Sequence, residues 1–191
     1  AGDSGNGGSS TVGTYQINTG NEIEVPFSGW GAGTWGQSTW GNGGTTLAGM
    51  RLWSQSNFGE DLFFVHRNGA LYYWDASSGV TTRGVLVSSL GGAAQVPTVA
   101  NIAFVSDIFR FAFCFGVNAV GSSALDPMLL RWSDQEDIAD WNPTATNQAG
   151  SLSLSEGTEI VQAIQARQEV LVWTDSAMYG LQYLGAPLVW G

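Results

Sequence analysis

The sequence around Asn68 and Gly69 constrains the fold more than any other part of the chain. Two runs rich in β-branched and aromatic residues, 62–66 and 70–74, flank an Arg-Asn-Gly turn. Asn-Gly between two such runs is the strongest short-range signal for a β-hairpin. A weaker copy follows near the other end, where a polar turn separates residues 169–173 from residues 177–183. The sequence therefore predicts antiparallel strands joined by tight turns.

A third pair of β-rich runs lies between these hairpins, at residues 102–106 and 110–116. Successive side chains of a strand point to opposite faces. Phe111, Phe113 and Phe115 therefore share one face of the second run, and Ala112 and Cys114 share the other. Recurring hairpins of this kind are typical of blades or meanders that bury their faces against one another. We predict an all-β, propeller-like fold built from repeated antiparallel hairpins.

Helix signals are sparse. Residues 159–168 have some helical spacing, but the strong hairpin that follows favours a strand there. A short helical turn is predicted at residues 133–139, where Ser133 stands three residues before Glu136 as in a capping box.

The amino-terminal part has a different composition from the rest. Residues 1–14 are rich in Gly, Ser, Asn and Thr and predict a flexible arm. Residues 15–191 are expected to form one β-rich domain of a longer polypeptide. Trp30, Trp35 and Trp40 recur every five residues between glycines, with no charged residue nearby to orient a ligand. We interpret this repeat as a loop that packs on its own chain or as a subunit contact, in preference to a ligand platform.

The charge composition of the chain argues against some classes of function. The 191 residues include six Arg, no Lys and sixteen Asp plus Glu, which gives a formal net charge of −10. Tight nucleic-acid binding needs clustered Lys and Arg, and the six Arg are scattered. The single Cys114 can form no internal disulfide. No apolar run approaches the ~18 residues of a membrane span, so we predict no membrane insertion.

The densest polar segment contains four carboxylates within seven residues: Asp134, Glu136, Asp137 and Asp140. Such a cluster has enough oxygen atoms to bind Ca²⁺, but its spacing lacks the pattern of the common calcium loop. We favour a turn whose carboxylates cap backbone N–H groups or pair with Arg131. A pair of glycosidase carboxylates beside Trp132 and Trp141 is a weaker alternative, because the sequence does not fix their separation.

Other catalytic signals are missing from the sequence. His66 is the only histidine and precedes a hairpin turn, and Cys114 alternates with phenylalanines. There is no nucleophile elbow, P-loop or dinucleotide fingerprint. These residues therefore give no support to nucleophilic or nucleotide-dependent catalysis, and we predict no cofactor.

Several blocks of the chain, in order, resemble one family. They are LW at 52–53, FGEDL at 58–62, GALYYWD at 69–75, VSD at 105–107 with Arg110 and FG at 115–116, DPMLLRWSDQED at 126–137, DW at 140–141, P143, TATN at 144–147, AG at 149–150, Arg167, VLVWTD at 170–175 and GAP at 185–187. Together they resemble virion structural proteins of tailed bacteriophages. The likeness is to the tail nozzle or tail tubular proteins of short-tailed phages, also called packaged-DNA stabilisation proteins.

The resemblance implies a non-enzymatic subunit in the phage tail, with a propeller-like body. Its expected partners are copies of itself in a ring (a hexamer, for example), other tail or portal-adaptor proteins, and genome DNA that passes without tight binding. An acidic, Lys-free wall would repel the duplex, so we expect some of Asp134, Glu136, Asp137 and Asp140 to line or approach a channel. Trp30, Trp35 and Trp40 are the candidate subunit interface. The alternative is an aromatic-rich β domain that binds carbohydrate on a host surface.

Overall fold

We analysed a computed structural model of the protein, which describes residues 52–191. Twelve strands in this part form three antiparallel sheets of four strands each. Sheet A contains β1 (Trp53–Phe58), β2 (Asp61–His66), β3 (Leu71–Trp74) and β4 (Val85–Leu86). Sheet B contains β5 (Ala100–Val105), β6 (Ala112–Asn118), β7 (Leu125–Trp132) and β8 (Gly150–Ser153). Sheet C contains β9 (Ile160–Gln165), β10 (Glu169–Thr174), β11 (Met178–Gly185) and β12 (Val189–Trp190).

Each sheet is a meander, because its four strands follow one another in the chain. The all-β prediction is therefore confirmed. Within residues 52–191 the three sheets remain open and separate, and no closed propeller forms among them. The two helices of this part are 3₁₀ turns of three residues, at Ala76–Ser78 and Val87–Ser89. Neither has the length or hydropathy to cross a membrane.

The predicted Asn-Gly hairpin is confirmed as β2 and β3, with Val65 opposite Leu71. Asn68 occupies the left-handed region at φ 59°, which Asn tolerates better than most residues. Gly69 lies under the His66 ring, because a Cβ at this position would come within 2.1 Å of the ring. The predicted pair near the carboxyl-terminal end is also confirmed, as β10 and β11 with Val172 opposite Tyr179.

Sheet B is the middle layer and is buried on both faces. All seven residues of β6 are buried. Ala112 and Cys114 face sheet A, in a core with Phe63, Val65 and Leu71 of that sheet. Phe111, Phe113 and Phe115 belong to a second core, whose partners in sheet C include Val170, Val172 and Leu181. The predicted division of this strand into two faces is confirmed, and each face is the centre of one core.

The expectation of a helical turn at residues 133–139 is wrong. This segment is a chain of turns, in which Asp134 and Asp137 form an isolated β-bridge. The Ser133 hydroxyl accepts from the backbone N–H of Ala112 at 3.1 Å and donates to the Asp134 carbonyl at 2.8 Å. It therefore joins this loop to β6 and does not start a helix. The strand predicted at residues 159–168 is confirmed as β9.

Candidate functional site

The four candidate carboxylates lie on the long connection between β7 and β8. Asp134 accepts from the backbone N–H groups of Gln135 at 2.9 Å and Gln148 at 2.7 Å. Asp137 accepts from the N–H of Ala139 at 2.8 Å. These two carboxylates thus hold the turns of the loop by capping backbone groups that would otherwise lack partners.

Asp140 has a similar role farther along the loop. One of its oxygens accepts from the N–H of Asn142 at 3.0 Å, and the other accepts from the Asn147 side-chain amide at 2.9 Å. Glu136 differs from the other three, because it is exposed and 3.8 Å from the Arg110 Nε atom. Its backbone has φ 59°, in the left-handed region. Glu136 and Asp137 therefore present charge to solvent, whereas Asp134 and Asp140 are partly buried.

The loop does not resemble a metal or sugar site. Within residues 52–191, no three His, Cys, Asp or Glu side chains are grouped so that they could hold a metal ion. The two flanking tryptophans are unavailable for stacking on a sugar, because Trp141 is fully buried and Trp132 is 4% exposed. The Trp141 Nε1 donates to the Ile138 carbonyl at 2.8 Å. Both rings therefore anchor the loop to the core.

Arg131 is the residue whose role the sequence did not indicate. Its side chain is 1% exposed, and it does not pair with the loop carboxylates. It donates to the carbonyls of Asn118 at 3.2 Å, Gln95 at 2.7 Å and Trp141 at 2.9 Å. Removal from water lowers the pKa of the guanidinium. One buried cation therefore ties the end of β6 to two connecting segments, before β5 and between β7 and β8.

Cys114 on β6 stands directly opposite Arg131 on β7. Burial raises the pKa of its thiol, and the nearby guanidinium opposes the shift only in part. A thiol in this state is neutral and unreactive at neutral pH. Cys114 therefore behaves as a small core residue.

The carboxylate loop belongs to a larger acidic end of the stack. The Glu136 N–H donates to the Arg110 carbonyl at 2.9 Å, so the loop touches the β5–β6 turn. Arg110 in turn lies over the Phe58 ring at 5.3 Å, beside the β1–β2 turn. Connections at this end contain most of the acidic residues among 52–191: Glu60, Asp61, Asp75, Asp107, Asp134, Glu136, Asp137 and Asp140.

Among residues 52–191, the two outer sheets each have a face that no other sheet covers and that contains several large apolar side chains. On sheet A this surface, which we call the A-face, contains Trp53, Phe64, His66, Tyr72, Trp74 and Leu86. On sheet C the corresponding C-face contains Ile164, Leu171, Trp173, Met178 and Leu184. Among these residues Trp53 is 51% exposed, Ile164 54% and Met178 62%. Sequence reasoning missed both faces, although β2 and β10 already show the signal, since large apolar residues occupy both sides of each strand.

The rings of the A-face pack against one another. Phe64 and Tyr72 stack with centroids 5.4 Å apart and planes 14° apart. Trp53 lies 6.2 Å from Phe64 and meets His66 edge to face at 5.5 Å. The rings of the A-face therefore form a contiguous aromatic layer.

A separate cleft of about 390 Å³ opens between sheets B and C. It is lined by Phe109, Gln168, Glu169, Gln182 and Tyr183. Phe109 and Tyr183 stack on each other with centroids 4.3 Å apart, which leaves a mixed polar and apolar wall without a cluster of catalytic groups.

The candidate interface of Trp30, Trp35 and Trp40 lies outside the described residues, as does the predicted arm at 1–14. Within residues 52–191, fold and site define an all-β arrangement of stacked four-stranded meanders, with one acidic end and two apolar outer faces that no other sheet of this part covers. No family model, curated protein or solved structure matches the chain.

Proposed function

We propose that this chain is a structural virion protein of a tailed phage. In this proposal it is a ring-forming tail subunit, of the nozzle or tubular kind, that retains and conducts genome DNA and has no enzymatic activity. The observation that carries the proposal is the stack of meanders, in which no other sheet of residues 52–191 covers the apolar outer faces of sheets A and C. Large exposed apolar patches mark surfaces that another protein covers, as expected of a subunit in an assembly.

The sequence blocks that resemble the phage tail family support the proposal because they form the framework of the fold. Residues 69–75 and 58–62 include the turns and strands of sheet A, and residues 126–137 span β7 and the start of the carboxylate loop. The resembling blocks include Arg131 and the carboxylates that cap the loop, and these residues hold the fold together. We propose a propeller-like body, because face-to-face four-stranded meanders are the units from which propellers are built.

Charge supports passage of DNA without a tight grip. A duplex is held when several Lys or Arg neutralise its phosphates. Among residues 52–191, Arg131 is buried, Arg67 and Arg110 lie 3.9 Å and 3.8 Å from glutamate oxygens, and the exposed Arg83 and Arg167 stand singly in separate connections. The acidic end, with Glu136 and Asp137 exposed, would repel the backbone of a passing duplex. We propose that this end faces the channel of the ring.

The direct test is the oligomeric state of the full chain together with its affinity for DNA. Native mass spectrometry and electron microscopy should show closed rings. Fluorescence anisotropy with a labelled duplex at low salt should show no saturable binding below about 100 µM, the weak end of ordinary non-specific binding. A chain that stays monomeric, or that binds the duplex tightly, would overturn the proposal.

A second test addresses the candidate interface in the amino-terminal part. Replacing Trp30, Trp35 and Trp40 together with Ser should lower ring formation more than it lowers thermal stability, because aromatic residues are concentrated in interface cores. Ring formation that stays unchanged would remove these residues from the interface.

Carbohydrate binding on a host surface is the second candidate, and the exposed aromatic A-face is the observation that favours it. Trp53 is half exposed beside Gln55, whose amide side chain offers hydrogen bonds to hydroxyl groups. The stacking of Phe64 on Tyr72 argues against it, since stacked rings cover each other's faces and leave less flat surface for a sugar. Glycan binding that disappears in Trp53→Ala and persists in Val120→Ala would favour this candidate over the tail protein.

A further inference from the structure

The turn between β2 and β3 contains a reactive pair of residues. Among residues 52–191, Asn68 is the one asparagine that glycine follows. Glycine has no Cβ to hinder an approach to its own backbone nitrogen, so the Gly69 nitrogen is able to attack the amide carbon of the Asn68 side chain. A C–N bond forms, and the proton of that nitrogen passes through solvent to the side-chain amino group, which leaves as ammonia. The product is a five-membered succinimide.

Water then opens the succinimide at one of its two carbonyl groups. Opening at one carbonyl leaves an ordinary aspartate at position 68. Opening at the other leaves isoaspartate, in which the main chain runs through Cβ. Both products have one more negative charge than Asn68, and the isoaspartate also changes the length of the backbone.

The folded turn holds the reacting groups apart. Residues 66–69 form a β-turn, because the Gly69 N–H donates to the His66 carbonyl at 2.8 Å. Asn68 is the third residue of this turn and has φ 59°, as in type II turns, whose third residue has ψ of about 0°. At that ψ the Gly69 nitrogen is turned away from the Asn68 side chain. Attack needs a rotation about the Cα–C bond of Asn68 that breaks the hydrogen bond to His66.

Gly69 is anchored by two further contacts. Its carbonyl accepts from the Ala100 N–H at 2.9 Å, and the two residues form an isolated bridge between the turn and β5. The His66 ring covers Gly69 on one side, since a Cβ there would come within 2.1 Å of the ring. Gly69 is buried, whereas Asn68 is exposed. The fold therefore fixes the attacking nitrogen and leaves the Asn68 amide accessible to water.

We propose that Asn68 is a deamidation site that the folded turn closes, so that isoaspartate forms there in chains whose β2–β3 turn has opened. The product then keeps the turn open. Its additional main-chain atom lengthens a tight connection between strands whose register places Val65 opposite Leu71, and the register of a hairpin depends on the length of its turn. Isoaspartate at position 68 is thus a permanent mark of local opening. This inference is independent of the ring assembly and DNA passage proposed above.

The experiment isolates this one pair in the full chain. The sequence has two other Asn-Gly pairs, at 6–7 and 42–43, so Asn6→Gln and Asn42→Gln provide the background. The chain is incubated in native buffer and in urea, at one mildly alkaline pH and one temperature. Mass spectrometry of its peptides measures conversion at Asn68, and labelling by an isoaspartyl methyltransferase identifies the β-linked product. A synthetic peptide of residues 62–74, too short for a stable hairpin, gives the unprotected rate in each buffer.

In native buffer the full chain should convert at Asn68 at least about tenfold more slowly than the peptide, because the rate depends on the fraction of molecules with an open turn. In urea the two rates should be equal. Equal rates in native buffer would overturn the protection by the turn. A peptide that does not convert would overturn the assignment of Asn68 as a deamidation site.

The second measurement concerns the product. Chain converted in urea is refolded, and its isoaspartate form is separated from the aspartate form by chromatography. Freshly prepared Asn68→Asp is the matched control, because it has the same charge with an ordinary main chain, and Asp-Gly also suits tight turns. The isoaspartate form should melt at least about 2 °C below Asn68→Asp. Equal melting temperatures would overturn the claim that the product keeps the turn open.

Discussion

Replacing Arg131 with Met should destabilise the protein more than any other single loss of charge among residues 52–191. The side chain is 1% exposed and donates to three carbonyls, one at the end of β6 and one on each of two different connections. Met follows the course of the Arg side chain as far as Nε, so the change keeps the apolar stem and removes the guanidinium donors.

The magnitude follows from the hydrogen bonds. Arg131 donates over 3.2 Å, 2.7 Å and 2.9 Å to Asn118, Gln95 and Trp141. Each hydrogen bond from a charged donor contributes about 1.5–3 kcal/mol, or about 5–9 kcal/mol together. The cation has lost its hydration without gaining a carboxylate, and relief of that penalty, several kcal/mol, offsets part of the loss. We expect a net loss of about 2–4 kcal/mol in the free energy of unfolding.

Urea unfolding followed by tryptophan fluorescence measures this difference. Arg83→Met is the control, because Arg83 is exposed in the β3–β4 connection and surface substitutions usually change stability by less than about 0.5 kcal/mol. If Arg131→Met were as stable as Arg83→Met, or more stable than the unmodified chain, Arg131 would not be the cation that ties these connections together.

Two further predictions concern the cores. Gly150→Ala should lower the free energy of unfolding by about 1–3 kcal/mol, because an added Cβ would lie 2.4 Å from the buried Trp132 ring. The control is Gly91→Ala, since a Cβ at Gly91 would meet no atom within 4 Å. Equal melting temperatures for the two variants would contradict this packing of Gly150 against Trp132. Stability should fall as pH rises above about 8.5, by up to about 1.4 kcal/mol per pH unit, because the unfolded thiol ionises while burial keeps the pKa of Cys114 raised. In urea titrations at several pH values, Cys114→Ala should lose this fall in stability above about pH 8.5. If stability falls as steeply with pH in this variant, the pH dependence belongs to another group.

Local sequence signals predicted the structure correctly where they agreed with the final packing. The Asn-Gly turn fixed the register of β2 and β3, and alternation in β6 separated the residues of two cores correctly. Both depend only on backbone geometry and side-chain periodicity, which a short stretch of sequence contains.

The wrong and missing predictions have one physical cause, which is contact between residues that are far apart in the sequence. Ser133 and Glu136 matched a capping box, but the Ser133 hydroxyl binds β6 across 21 positions of sequence, and tertiary bonds decided the local conformation. The role of Arg131 depends on where the end of β6 and two separate connections meet, which the sequence does not show. The A-face was missed because Trp53 and Tyr72 look like ordinary strand residues until the sheets of residues 52–191 are seen to leave that side of sheet A without a partner sheet.

The measurement that tests the central claim most directly is cryo-electron microscopy of the full purified chain. The account predicts a closed ring with a channel that admits duplex DNA, and at least one of Asp134, Glu136, Asp137 and Asp140 directed toward that channel. Single copies without a ring, or a ring with all four carboxylates on its outer surface, would contradict it.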